Sequence, residues 1–174
     1  KEYLKNEIII VFADTLFFGN IKIDKTADAI IWTHKVKDPS NYGVVVTNKE
    51  IYILDFIEKP KTKVSNKAII GLYYFRKGEK LLKDIKHVIS NNIKDKEEYQ
   101  LTTVLSNMLS RGDKMINKEV EEWLDCGTIP SLLEANQNIL SSSKIVNKNI
   151  IPPCYIGKNV KIKNSKIGPN VSID

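Results

Sequence analysis

The stretch EIIIVFAD, Glu7 to Asp14, runs three isoleucines, a valine, a phenylalanine and an alanine into a carboxylate. A short, unbroken, β-branched run of this kind predicts a central strand over Ile8 to Ala13, covered on both faces. Asp14 then sits at the carboxyl end of that strand, where open α/β sheets gather their ligands. From position alone, a carboxylate there either binds a divalent cation or caps the following TLFFGN segment.

Outward from this strand, the pattern alternates between two periods. Ala29 to Val36 predicts a second apolar strand. Asp38-Pro39-Ser40-Asn41 is dense in turn formers, and Tyr42 to Thr47 with Ile51 to Ile57 predict a hairpin around Asn48-Lys49. Ala68 to Phe75 makes a further strand, stopped by Lys77-Gly78. The period then lengthens to about 3.6 residues. Leu81, Leu82, Ile85, Val88 and Ile89 form one helical stripe; Leu101, Val104, Leu105, Met108 and Leu109 form another, ending at Arg111-Gly112. Met115 to Trp123 is extended, and Thr128 is a good N-cap for a helix from Ile129 to about Leu140, with Pro130 tolerated in its first turn. Strands mixed with helices predict an α/β sandwich.

The tail obeys another rule. Ile151, Ile156, Ile162, Ile167 and Ile173 recur every five or six residues, and IGKNVKI and IGPNVSI repeat one unit. This hexapeptide pattern predicts the start of a parallel β-helix, with isoleucines stacked inside and glycine and asparagine at corners of positive φ. The expected domains are therefore 1–144 and 145–174. A single coil leaves strand edges unpaired, so it should pack on the α/β body, on another chain or on further coils.

Composition narrows the function. The chain has 174 residues, is 42% hydrophobic and carries a net charge of +6, which suits one substantial core with room for a small second module. The lysines are scattered, the arginines are only Arg76 and Arg111, and no aromatic-basic stripe accompanies them, so nucleic acid is not the expected partner. No apolar run reaches membrane-spanning length and Lys1 to Glu7 lacks the order of a signal peptide, which gives a cytoplasmic expectation. Cys126 and Cys154 fit neither a disulfide framework nor a metal spacing, and His34 and His87 stand alone.

A second apolar-to-acidic handover occurs in EEWLDCGT, Glu121 to Thr128, where Trp123 and Leu124 precede Asp125. Two carboxylates held about 5 Å apart would repel by roughly 3 kcal/mol at an effective dielectric near 20, a penalty that a divalent cation converts into a binding site.

With both acidic residues in hand, the chain resembles the sugar-phosphate nucleotidyltransferases, particularly the glucose-1-phosphate thymidylyltransferase and uridylyltransferase group. The resemblance rests on VFADTLF, DPSNYGVVV, DFIEKP, AIIGLYYF, EYQLTTVL and WLDCGT in family order, followed by the hexapeptide tail. It implies a Rossmann-like mixed sheet between helices, followed by a left-handed β-helix. It implies that Asp14 and Asp125 hold a catalytic Mg²⁺, and that Tyr42, Gly43, Glu58 and Gly71 line a sugar pocket. Lys59 would face the sugar phosphate, with Lys96 and Trp123 as further substrate contacts. Glu58 is suited to accept hydrogen bonds from sugar hydroxyls, and Gly71 allows close backbone approach. The implied reaction joins a sugar 1-phosphate to a nucleoside triphosphate, giving dTDP- or UDP-glucose and pyrophosphate, in a homo-oligomer formed through the β-helix or a sheet edge.

The sequence also departs from the family pattern. No glycine-rich loop of the G-x-G-T-R-L kind precedes Glu7, so the chain reads as the C-terminal two-thirds of such an enzyme, inactive alone. Ala13, Thr103 and the Lys96-Glu97 pair replace glycine, aspartate and an arginine-glycine pair. The alternative expectation is a non-catalytic relative that binds a sugar phosphate or a partner subunit. An acyltransferase role for the tail fits less well, because no histidine lies in it to act as a base.

Overall fold

A computed structural model describes residues 3–95, 97–141 and 150–174. The chain divides into two compact units, Lys1–Trp123 and Leu124–Asp174; the expected boundary at 144/145 lies outside the described residues. In chain order the elements are β1 (Ile8–Val11), β2 (Thr15–Phe18), β3 (Ala29–Lys35), β4 (Gly43–Thr47), β5 (Ile53–Glu58) and β6 (Lys67–Phe75). There follow α1 (Gly78–Ser90), α2 (Leu101–Ser110), β7 (Met115–Glu119), β8 (Glu122–Asp125), α3 (Ile129–Leu140), β9 (Cys154–Ile156) and β10 (Val171–Ile173).

The first unit is built on a mixed six-stranded sheet, ordered β5-β4-β6-β3-β7, with β1 also paired to β6. β3 runs antiparallel to β6 and parallel to β7. Its alternate residues face two cores, as a central strand requires. Ala29 and Ile31 join Phe75, Leu81, Val88, Leu105 and Met108 on the helix-covered face. Ile30 and Trp32 join Ala27, Ile70, Leu72, Tyr74 and Ile116 on the other, against which Phe17 and Ile21 pack.

Ile8 to Ala13 is not the doubly covered central strand that its composition predicts. β1 stops at Val11 and pairs with β6 on one side, Ile8 opposite Phe75 and Val11 opposite Leu72. Ile8 and Ile10 pack on the helix-side core, whereas Ile9 and Val11 are about half exposed. β-Branching reports the strand; it does not report how many neighbours the strand has.

Two registers are irregular, and one of them shapes the site. Ile31 pairs with Tyr73 and Thr33 with Ile69, so two steps along β3 correspond to four along β6. Gly71 lies within this bulge at φ +80°, a conformation that costs a side-chain-bearing residue about 1–2 kcal/mol.

The helices are tied down by buried charge. On α1 the inward stripe includes Asp84 between Leu81 and Val88, while Ile89 of the predicted stripe is half exposed. Arg111, at the C-cap of α2, makes a two-pronged ion pair with Asp84 and reaches Asp113 at 3.6 Å. Lys80 pairs with Asp113, and Arg76 with Asp28 at 2.5 Å. Burial alone pushes the Asp28 carboxyl up, but the Lys114 N–H, Arg76 and Lys80 together bring it below the ordinary carboxylate range.

In the second unit Thr128 caps α3 in a reciprocal pair with Ser131, and Pro130 lies in the first turn, as the sequence predicts. β9 and β10 pair in parallel, with Cys154 opposite Val171 and Ile156 opposite Ile173, and Ile150 bridges Ile167 in the same sense. All three pairings are offset by the same 17 residues. Ile150 is buried and Ile151 half exposed, so the inward residue is the neighbour of the one predicted. Asn164 and Asn170 take positive φ. Gly157 does not; there a Cβ would stand 2.5 Å from the Asp174 carboxylate, so lack of space explains the glycine. Cys154 is buried, its thiol donating to the Ile151 and Gly168 carbonyls, and Cys126 is half-buried. Among the described residues no helix is long and apolar enough to cross a membrane.

Candidate functional site

β6 has two edges, and β3 takes one of them along its length. The other is shared: β4 meets it at Ala68 and β1 meets it from Leu72 to Phe75. Between them, around Ile69 to Gly71, the edge opens.

The open edge is satisfied by the chain leaving β1. The Phe12 N–H donates to the Gly71 carbonyl at 2.9 Å and the Thr15 hydroxyl to the Ile70 carbonyl at 2.7 Å. Asp14 lies between these two anchors and is exposed. Trp123 Nε1 donates to the Thr15 hydroxyl at 2.8 Å, and the Trp123 ring meets Tyr42 edge-on with centroids 5.2 Å apart. Trp123 is thus half-buried by ring packing and one hydrogen bond.

The β4-β5 hairpin carries the remaining candidate residues of the first unit. Gly43 pairs with Glu58 across β4 and β5, and the Lys59 N–H donates to the Tyr42 carbonyl at 3.0 Å. Lys59, just before Pro60, is held at φ +44°, an uncommon conformation for a residue with a side chain. The Thr102 hydroxyl, on the first turn of α2, donates to Glu58 Oε2 at 2.9 Å. A Cβ at Gly43 would stand 2.9 Å from Thr102 Cγ2 and 3.0 Å from Glu58 Oε2, so no larger residue fits there without displacing one of them.

Gly71 behaves differently from expectation. A Cβ there would lie 2.9 Å from three atoms of the Phe12 side chain, so the close approach is made by Phe12. The Phe12 ring also tilts against Tyr73 at 5.6 Å. Burial, followed by the Glu58 charge, pushes the Tyr73 hydroxyl well above its usual range and keeps it neutral.

Asp14, Tyr42, Gly43, Glu58, Lys59, Gly71 and Trp123 all belong to the first unit, and Asp125 belongs to the second. There Asp125 Oδ1 accepts from the Gly127 N–H at 2.9 Å, folding the turn that leads to the Thr128 cap. Lys96 lies outside the described residues. Among the described residues no group of three or more histidine, cysteine or acidic side chains could hold a metal ion. Phe12, Thr15, Tyr73 and Thr102 went unrecognised in the sequence. A threonine on the inward stripe of α2 was the available signal for the last.

The nucleotidyl transferase family model matches residues 7–142. The chain belongs to the nucleotidyl transferase family. It is 32% identical to a glucose-1-phosphate adenylyltransferase of Clostridium botulinum (strain Alaska E43 / Type E3) over 83% of this chain and 40% of that protein. Against the glucose-1-phosphate adenylyltransferase of Bacillus thuringiensis (strain Al Hakam) it is 31% identical over all of this chain and 51% of the relative. It thus spans 40 to 51% of the length of these curated relatives. Among solved structures, it is similar to a putative glucose-1-phosphate thymidylyltransferase from Bacillus anthracis in complex with a sucrose (TM-score 0.59, 25% identity, 83% of this chain and 58% of that one). A UDP-glucose pyrophosphorylase complexed with UDP-glucose shares the fold at TM-score 0.63 and 21% identity, over 80% of this chain and 58% of that one. These likenesses support the Rossmann-like mixed α/β sheet of a nucleotidyl transferase.

Proposed function

We propose that the chain is the sugar-phosphate- and metal-binding part of a sugar-1-phosphate nucleotidyltransferase. The observation that carries this reading is the Glu58 carboxylate, held by the Thr102 hydroxyl opposite Gly43 and followed in the chain by the Lys59 cation, in a family member. Glu58 accepts hydrogen bonds from sugar hydroxyls beside Tyr42 and Trp123, and by the family resemblance Lys59 and Lys96 meet the phosphate. The sugar is glucose. The names of the adenylyltransferase relatives favour ATP as the second substrate over the dTTP or UTP that the motifs alone suggest.

A phosphate oxygen of the sugar 1-phosphate forms a bond to the α-phosphorus of the triphosphate, and the bond to pyrophosphate breaks in line. By the family resemblance Asp14 and Asp125 each offer hard oxygen donors of the kind Mg²⁺ takes. Mg²⁺ bound there would neutralise charge on the phosphates. The repeated 17-residue offset supports a parallel β-helix beginning at Ile150, left-handed by the family resemblance and available for self-association.

The test is calorimetry with glucose 1-phosphate with and without Mg²⁺, together with pyrophosphate release from ATP, dTTP and UTP. Binding that is lost in Glu58→Gln and loses its Mg²⁺ dependence in Asp14→Asn supports the reading. No heat with any sugar phosphate would leave the non-catalytic scaffold role.

A further inference from the structure

We infer that Thr102 is a positioning residue that sets the orientation of the Glu58 carboxylate, and through it the sugar-hydroxyl geometry that Glu58 accepts; this rests on the nucleotidyltransferase reading. Within a helix a threonine hydroxyl usually turns back to the carbonyl three or four residues earlier. Thr102 is the second residue of α2, so the helix has no such carbonyl to offer. Its hydroxyl is instead directed across the unit to Glu58 Oε2, 44 residues away in sequence.

The surroundings permit one arrangement. Thr102 is buried, and its β-branch restricts χ1, so donor and methyl are placed together. The methyl group occupies the space over Gly43 that a side chain would need, beside Ile69 Cδ1. Glu58 ends β5 directly opposite Gly43, and its Oε2 lies over the same bare backbone. A carboxylate can rotate about its last bond at little cost. Here the Thr102 donor fixes that rotation while Gly43 leaves it room.

Three variants separate the parts: Thr102→Val keeps the shape and removes the donor, Thr102→Ser keeps the donor and removes the methyl, and Thr102→Ala removes both. By calorimetry on the full chain, the inference expects glucose 1-phosphate to bind about tenfold more weakly to Thr102→Val and Thr102→Ala, and within about threefold of the parent to Thr102→Ser, since a hydrogen bond to a charged group is worth at least such a factor. Urea unfolding supplies a second readout that needs no ligand. Thr102→Val and Glu58→Gln should be non-additive by about fivefold or more in the unfolding constant. Additive effects, or parental affinity in Thr102→Val, overturn the inference. If the parent chain binds no sugar phosphate, the functional reading and the sugar half of this inference fall together, and the unfolding cycle still decides whether Thr102 holds Glu58.

Discussion

Gly71→Ala isolates the physics of the bulge in β6. The new Cβ meets two separate penalties. At φ +80° the backbone penalty is about 1–2 kcal/mol. The Cβ would also sit 2.9 Å from Cβ, Cγ and Cδ2 of Phe12, an overpacking that costs about 1–3 kcal/mol. Phe12 is 44% exposed and can partly swing aside, which places the steric share near the lower end and the total at about 2–4 kcal/mol. With a urea slope of about 2 kcal/mol per molar, the unfolding midpoint should fall by about 1–2 M. The same substitution made in Phe12→Gly, which removes all three contacting atoms, meets only the backbone penalty and should cost about 1–2 kcal/mol. Equilibrium urea unfolding of the four proteins measures both. An equal cost in the two backgrounds would refute the Phe12 contact as the reason for glycine. A cost below about 1 kcal/mol in the parent would refute the backbone argument as well.

Two more outcomes follow from the buried charges. Arg111→Met strands the Asp84 carboxylate, whose side chain is 2% exposed, and should destabilise the fold by about 3 kcal/mol or more; Arg111→Met with Asp84→Leu should recover much of that in the same assay. Asp28 has a lower pKa folded than unfolded, so its stabilisation is present above about pH 4 and disappears as pH falls through the folded value. Parental stability should therefore drop more steeply below about pH 4 than that of Asp28→Asn, and parallel curves would count against the Asp28 cluster.

Local rules made much of the chain legible. The β4-β5 hairpin, the burial of β3, the two helices and the Thr128 cap all follow from periodicity, turn residues and capping preferences, which act within a few residues of chain. The acidic ends of two apolar runs marked Asp14 and Asp125 for the same reason. Other features depended on partners far away in sequence. Asp84 looks like an error in an apolar stripe until Arg111 is placed beside it. Thr102 is an ordinary helical threonine until β5 brings Glu58 within 2.9 Å. Ile151 and Ile150 are interchangeable in a repeat, and only the pairing with Ile167 decides which turns inward.

The sequence by itself determined which segments extend, which coil, and where carboxylates, glycines and an EKP corner stand along them, because those properties come from side-chain shape and short-range hydrogen bonding. Tertiary structure alone decided that β1 has one paired edge, that β4 and β1 divide one side of β6, and that Gly71 makes room for Phe12. Strand pairing and close packing join residues tens of positions apart, and no local pattern encodes which distant neighbour arrives.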